Sequence, residues 1–220
     1  MVDSNSAAAS PSTETPVVFV VDDDDRIRES LIDLLSAGGF SVIGFSSGKA
    51  FLKAEKPDAP ACLVLDLALP DLSGLDVQRE LGATSGPPIV FITGQSDVPS
   101  TVRAMKAGAV EFLSKPFNDA DLLKAVGAAI ERDRADRQAR AEVTQLQGRY
   151  KKLTPREREI LPFVIAGFAN KETGAELGTS EITIGVHRSQ VMRKMEARSL
   201  AELIRLADKL GIRPQDSPPK

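Results

Sequence analysis

With 220 residues, 42% of them hydrophobic, the chain is long enough for one or two packed domains. It has no Trp, one Tyr, one cysteine (Cys62) and one histidine (His187). That excludes aromatic stacking platforms, an internal disulfide, cysteine-based zinc sites, multi-histidine metal sites and most histidine-dependent triads. The net charge of −3 is unevenly divided: residues 17–130 hold 10 Lys/Arg against 16 Asp/Glu, and residues 149–213 hold 13 against 8. An acidic half suits a cation and a basic half suits a polyanion.

The first 16 residues, MVDSNSAAASPSTETP, have neither a basic n-region nor an apolar core, so they read as a disordered tail and not as a signal peptide. No apolar stretch approaches the ~20 residues that span a bilayer, and a cytoplasmic protein without a membrane partner is expected. Strands and helices then alternate. Strand Val17–Val21 precedes helix Arg26–Ala37, which Gly38-Gly39 stops. Strand Ser41–Phe45 leads to a short helix near Gly48–Lys53, and strand Cys62–Leu65 to a loop with Pro70 and Gly74 and a helix ending near Leu81. Strand Ile89–Ile92 leads to helix Val98–Ala107, stopped by Gly108, and strand Glu111–Leu113 leads past Pro116 to a helix opening at Asn118. Five such units predict an α/β fold with a doubly wound, five-stranded parallel sheet over residues 17–130.

Short apolar runs rich in Val, Ile, Leu and Phe read as strands buried on both faces. If they are parallel, their carboxyl ends share one edge, where ligands of open α/β sheets bind. The runs end in Asp22-Asp23, Asp66, Thr93 and Lys115. Three carboxylates, a hydroxyl and an ammonium at one edge make a magnesium-dependent phosphorylation site. Asp66, the lone carboxylate at the end of the central strand, is the nucleophile, since acyl phosphates on aspartate are known covalent intermediates. Lys115 pairs with a phosphoryl oxygen, Thr93 hydrogen-bonds another, and Lys115-Pro116 is a candidate cis peptide. A simpler reading of Asp22–Asp25 is a solvated loop and the acidic start of a helix.

The helix opening at Asn118 runs on through ERDRADRQAR (131–140), charged all round, with a thin stripe of Ala135, Ala139, Val143, Leu146 and Tyr150. Residues 131–150 are therefore a solvated helical linker, with a short coiled-coil seam as the alternative. Four helices follow over 151–213. Thr154-Pro155-Arg156-Glu157 combines an N-cap, a proline at N1 and a capping-box glutamate, and Ser199–Glu202 is a second box. Asn170 can cap Lys171–Leu177, and Ser180 caps the helix of about Glu181–Glu196. The Gly178-Thr179-Ser180 link has helix-turn-helix spacing. A disordered tail is expected from 214 to 220.

The segments VDDDDRIRESL, LDLALPDLSG, FITG and AMKAGAVEFLSKPF resemble the receiver domain of bacterial response regulators. LTPREREIL…GFANKETGAELGTSEITIGVHRSQVMRKM resembles the LuxR-type helix-turn-helix. Together, over about residues 17–211, they resemble the NarL/FixJ family. The resemblance implies that Asp66 accepts phosphate from a sensor histidine kinase and that Asp23, Asp66 and the backbone carbonyl of Ala68 ligate Mg2+, with Asp22 acting mainly through water. It implies that Thr93 and Lys115 sense the phosphate and that Phe112 is a switch aromatic, where plain core is the other reading. The chain would catalyse only its own aspartyl phosphorylation and dephosphorylation. Its partners would be the kinase, double-stranded promoter DNA, RNA polymerase and, once phosphorylated, a second copy of the chain. Helix Val98–Ala107 and strand Glu111–Leu113 form the face where such receivers dimerise; Val98, Val102 and Met105 either supply its apolar patch or pack on the sheet.

Basic charge with a helix-turn-helix argues for duplex DNA. In the third helix Ile184, Val191 and Met195 share an inner face, and Gly185, Val186, Ser189 and Arg193 an outer one. Val186 and Ser189 are expected near base edges. Lys171, Thr183, Arg188, Arg193 and Lys194 are expected on phosphates, and His187 is either a DNA contact or a packed or capping side chain. Three residues depart from the family pattern: Gly185 and Gly174 weaken their helices, and Pro162 is expected to kink the first helix of the domain. A haloacid-dehalogenase-type phosphatase is rejected, because the general acid it needs two residues after the nucleophile is Ala68 here. A phosphate sink or protein-interaction switch with an idle DNA domain is the alternative function.

Overall fold

The computed structural model describes residues 15–82, 86–94 and 98–216; of the two expected tails, residues 1–14 and 217–220 lie outside the described residues, and Gln215, expected in the second tail, instead donates its N–H to the Pro162 carbonyl at 3.0 Å. The chain divides into two compact units, with the boundary between Arg137 and Gln138.

In the first unit, strands β1 (Val17–Val21), β2 (Ser41–Phe45), β3 (Ala61–Asp66), β4 (Ile89–Thr93) and β5 (Glu111–Ser114) form one parallel sheet in the order β2-β1-β3-β4-β5. Every residue of β1, β3 and β4 is buried. Strand alternation explains why. Phe19, Leu63 and Phe91 face one core, with Phe51 of α2 (Gly48–Lys53), Val77 of α3 (Gly74–Gly82) and Ala104 of α4 (Val98–Lys106). Val18, Cys62, Val64 and Ile92 face the other, with Leu31 and Leu35 of α1 (Asp25–Ala37) and Leu122, Val126 and Ile130 of α5 (Asp119–Lys151). A sheet covered on both sides leaves its strand ends as the place for chemistry.

Helix α5 runs unbroken for 33 residues, but its charged stretch is not simply solvated. Asp133 is buried, and its carboxylate accepts from the Ala61 N–H, the first donor of β3, at 2.9 Å. Arg137 pairs with Asp58, and Arg132 donates to the Gly108 carbonyl at 3.2 Å. Residues 131–137 thus belong to the receiver fold, a correction to the solvated linker reading. The reason is that β3 begins with a buried N–H that no strand neighbour satisfies. Replacing Asp133 with Ala is expected to cost about 1–3 kcal/mol through the orphaned Ala61 N–H, and Asp133→Asn, which keeps an acceptor, is expected to recover most of that; urea denaturation of the full chain measures both.

In the second unit, α6 (Pro155–Ile165), α7 (Asn170–Glu176), α8 (Glu181–Met195) and α9 (Leu200–Lys209) enclose a core of Leu146, Leu153, Ile160, Leu161, Val164, Ile184, Val191, Met195 and Leu203. Thr154 and Glu157 make the predicted capping box. Glu202 differs in detail: its carboxylate accepts from the Arg198 N–H at 2.8 Å while its own N–H donates to Ser199 Oγ at 3.1 Å. Helix α6 continues through Pro162 to Ile165. Asn170 is the first residue of α7 and not its cap. The cap position is Ala169, whose N–H donates to Glu172 at 2.7 Å, so a carboxylate one turn on does what the Ala side chain cannot. Gly174 has a packing reason: a Cβ there would lie 2.7 Å from the Thr179 carbonyl oxygen in the turn before α8.

Candidate phosphoacceptor site and DNA-reading helix

The parallel register brings the ends of β1, β3, β4 and β5 to one edge. Val21 pairs with Leu65, Asp66 with Ile92 and Thr93 with Ser114, so the residues at or after these ends meet. The four acids after β1 divide their tasks. Asp22 is fully buried, and Asp23 is exposed beside it. Asp24 caps α1 by accepting from the N–H groups of Arg26 and Ile27 at 2.9 and 3.3 Å, and Asp25 pairs with Arg28. The solvated-loop reading thus describes Asp24 and Asp25 but not Asp22.

Lys115 holds the carboxylates together. Its Nζ lies 2.8 Å from Asp22 Oδ2 and 3.1 Å from Asp66 Oδ2, and the Lys115-Pro116 peptide is cis. Asp22 Oδ1 also accepts from the Asp24 N–H at 3.0 Å, and Asp66 Oδ1 from the Ala68 N–H at 3.1 Å. Burial raises the Asp22 pKa, with Lys115 opposing it. Burial alone would lower the Lys115 pKa, but its bonds to Asp22 and Asp66 and their charge raise it instead. Carboxylate oxygens of Asp22, Asp23 and Asp66 lie within 4.8 Å of one another. A cluster of hard oxygens with one member open to solvent fits Mg2+, which binds through one or two carboxylates and keeps several waters.

Thr93 is fully buried at the end of β4, and its carbonyl accepts from the Lys115 N–H at 2.7 Å. Phe112 is half-buried with its ring 6.2 Å from that of Phe91. On α4, Val98, Val102 and Met105 are 76%, 44% and 41% exposed, while Ser100 and Ala104 face the sheet. Those three apolar side chains therefore do not pack on the sheet. Sequence reading noted Gly74 only as part of a loop. A Cβ there would stand 2.6 Å from the Asp66 carbonyl oxygen, so the start of α3 closes on the end of β3 as only glycine allows. Nothing local to Gly74 signals this.

On α8, Ile184, Val191 and Met195 are buried as expected. Opposite them Val186, Ser189 and Arg193 are exposed, with Gly185 and His187 half-buried. Lys171 and Thr183 are also exposed. Two expected phosphate contacts have internal partners. Lys194 Nζ donates to both oxygens of Glu157, at 2.9 and 2.7 Å, and Arg188 Nη1 donates to the Phe168 carbonyl at 2.6 Å. Arg193 likewise donates to Gln190 Oε1, at 2.7 Å, but it is exposed where Lys194 and Arg188 are half-buried.

Comparison with known proteins covers both halves. Residues 18–127 match the response regulator receiver domain, and residues 151–207 match the bacterial regulatory proteins of the luxR family. Nodulation protein W of Bradyrhizobium diazoefficiens is 51% identical over 197 residues, covering 89% of this chain and 87% of that protein. Response regulator protein TodT of Pseudomonas putida is 42% identical over 200 residues, covering 90% and 88%. Among solved structures, the response regulator StyR superposes with a TM-score of 0.79 at 46% identity, covering 89% of this chain and 100% of that one. None of these findings favours the phosphate-sink alternative. No helix among the described residues is long and apolar enough to cross a membrane. The chain belongs to the FixJ-type response regulators, a receiver joined to a LuxR-type DNA-binding domain, and is a transcriptional regulator controlled by phosphorylation, with a kinase and DNA as partners.

Proposed function

We propose that Asp66 is the phosphoacceptor and that the receiver catalyses its own modification. An Asp66 carboxylate oxygen attacks the phosphorus of a phosphohistidine on a sensor kinase. The P–O bond forms as the P–N bond breaks, and the imidazole leaves with the electron pair. Asp23, Asp66 and the Ala68 carbonyl would hold Mg2+, with Asp22 behind a water. The ion would supply positive charge that offsets the repulsion between a carboxylate nucleophile and an anionic phosphoryl group. The observation that carries this reading is the Lys115 ammonium within 3.1 Å of Asp66 and 2.8 Å of Asp22. On phosphorylation that ammonium exchanges a carboxylate for a phosphoryl oxygen, the Thr93 hydroxyl donates to another, and Phe112 turns inward behind Thr93. A near-complete switch takes ~5.5 kcal/mol of differential stabilisation, and new charge-assisted bonds are its source.

The exposed Val98, Val102 and Met105 of α4 are the face on which two phosphorylated receivers pair. Helix α8 enters the major groove, with Val186 and Ser189 near base edges and Lys171, Thr183 and Arg193 on phosphates. DNA as the partner puts the protein in the cytoplasm. Incubation with acetyl phosphate and Mg2+, followed by borohydride reduction and peptide mapping, is expected to find the modification on Asp66 and to lose it in EDTA. Modification of another residue, or labelling indifferent to EDTA, would overturn the assignment.

A further inference from the structure

The most exposed apolar side chain of the second unit is on the reading helix. Ile182 is 81% exposed and Val186, one turn on, is 57% exposed. At about 100° per residue, Ile182, Gly185, Val186, Ser189 and Arg193 fall within an arc of roughly 100°, opposite the buried Ile184, Val191 and Met195. Ile182 is thus the N-terminal member of the outward face, and N-terminal residues of a recognition helix are those that meet base edges.

The hydrogen-bonding groups near that face are partly engaged within the chain. Gly185 has no side chain. The Ser189 hydroxyl donates to the Gly185 carbonyl at 3.0 Å, and Thr183 Oγ1 is 2.8 Å from Ser180 Oγ. Arg193 donates to Gln190 Oε1 at 2.7 Å. Within that arc, what projects from the first two turns is two branched hydrocarbons, with the exposed Glu181 and Thr183 to either side. In the major groove one feature is apolar, the C5-methyl group of thymine.

We infer that Ile182 and Val186 are specificity-determining residues that read thymine methyl groups. This rests on the major-groove placement of α8. DNA is the occupant because the helix belongs to the basic half of the chain, 13 Lys/Arg against 8 Asp/Glu over residues 149–213, with Lys171 and Arg193 exposed near it. Four residues of helix rise about 6 Å, and base pairs stack at about 3.4 Å. The two side chains therefore read thymines roughly two base pairs apart in each half-site. Affinity comes from the flanking cations, and discrimination comes from burying methyl surface.

The test uses the full-length, acetyl phosphate-treated protein and a pool of randomised DNA duplexes. The native protein is expected to enrich sequences with thymines at that spacing. Deoxyuridine in the enriched duplex removes only the methyl groups and is expected to weaken native binding about four-fold per contacted thymine. Ile182→Ala, a surface change, is expected to bind the two duplexes alike at the position it reads. If the native protein enriches a defined sequence yet binds the deoxyuridine duplex as tightly, methyl reading is overturned and α8 stays in the groove. If Ile182→Ala/Val186→Ala/Ser189→Ala protein enriches the same sequence as the native, α8 is not the reading helix, and the placement and this inference fall together.

Discussion

Asp66→Asn protein is expected to take up no phosphoryl group from acetyl phosphate and yet to be no less stable than the native chain. The amide cannot form the acyl phosphate. It has the carboxylate's shape, can still accept from the Ala68 N–H, and removes one of two negative charges that Lys115 alone bridges. Asp22 feels the Asp66 charge, which adds to the effect of burial in raising its pKa. Relief of that repulsion is worth about 1 kcal/mol for unit charges some 4 Å apart in a water-like medium. The urea midpoint of the Asn variant in EDTA is thus expected to equal or exceed the native one. Lys115→Ala goes the other way: it strands a buried Asp22, and breaking such a pair costs about 3–5 kcal/mol. Millimolar Mg2+ is expected to restore part of that, because a cation again faces the carboxylates. A Lys115→Ala protein as stable as the native in EDTA would mean that the ammonium does not hold this cluster together.

The second large effect is at Glu157. This carboxylate is 3% exposed, takes two bonds from Lys194 and accepts from the Thr154 N–H at 2.7 Å. Burial alone would raise its pKa, but Lys194 and the Thr154 backbone bond outweigh burial and lower it from 4.5. A carboxyl whose pKa is lower folded than unfolded adds stability above its unfolded value, and that contribution is lost as pH falls through the folded one. At pH 7 Glu157→Ala is expected to cost about 3–5 kcal/mol, since it leaves the Lys194 ammonium and the Thr154 N–H unpaired. The penalty is expected to shrink as pH drops below 4.5, where the native protein loses the same interaction. Denaturation of both proteins across that range checks the sign. A penalty independent of pH would mean that packing, not charge, is what Glu157 supplies.

Much of the first unit was legible along the chain. Its strands announce themselves because β1, β3 and β4 are buried on both faces and so must be apolar throughout. The residues that follow them stand at one edge because the strands are parallel. Helix starts such as Thr154–Glu157 and Ser180 were equally plain, since a cap and its target lie within one turn. The contacts that leave no mark along the chain are those whose partner is distant. Asp133 looked like one acid in a charged run, yet it satisfies Ala61, 72 residues away. Lys194, an exposed cation by sequence, pairs with Glu157, 37 residues away. Asp71 carries no local signal in the sequence. Its carboxylate accepts from the N–H groups of Lys49 and Gly48 at the start of α2, at 2.9 and 3.3 Å, and those bonds hold its pKa below the ordinary value.

By itself, the amino-acid sequence determined the alternation of elements, the edge at which Asp22, Asp23, Asp66, Thr93 and Lys115 gather and the inner face of α8. Each follows from periodicity or from a bond to a neighbour within one turn. Only the tertiary structure decided which cations have partners within the fold, which acid anchors α5 to β3, and that Ile182 of α8 stands exposed. A buried N–H or carboxylate takes the partner that folding brings within 3 Å, and hydrophobic period carries no record of that distance.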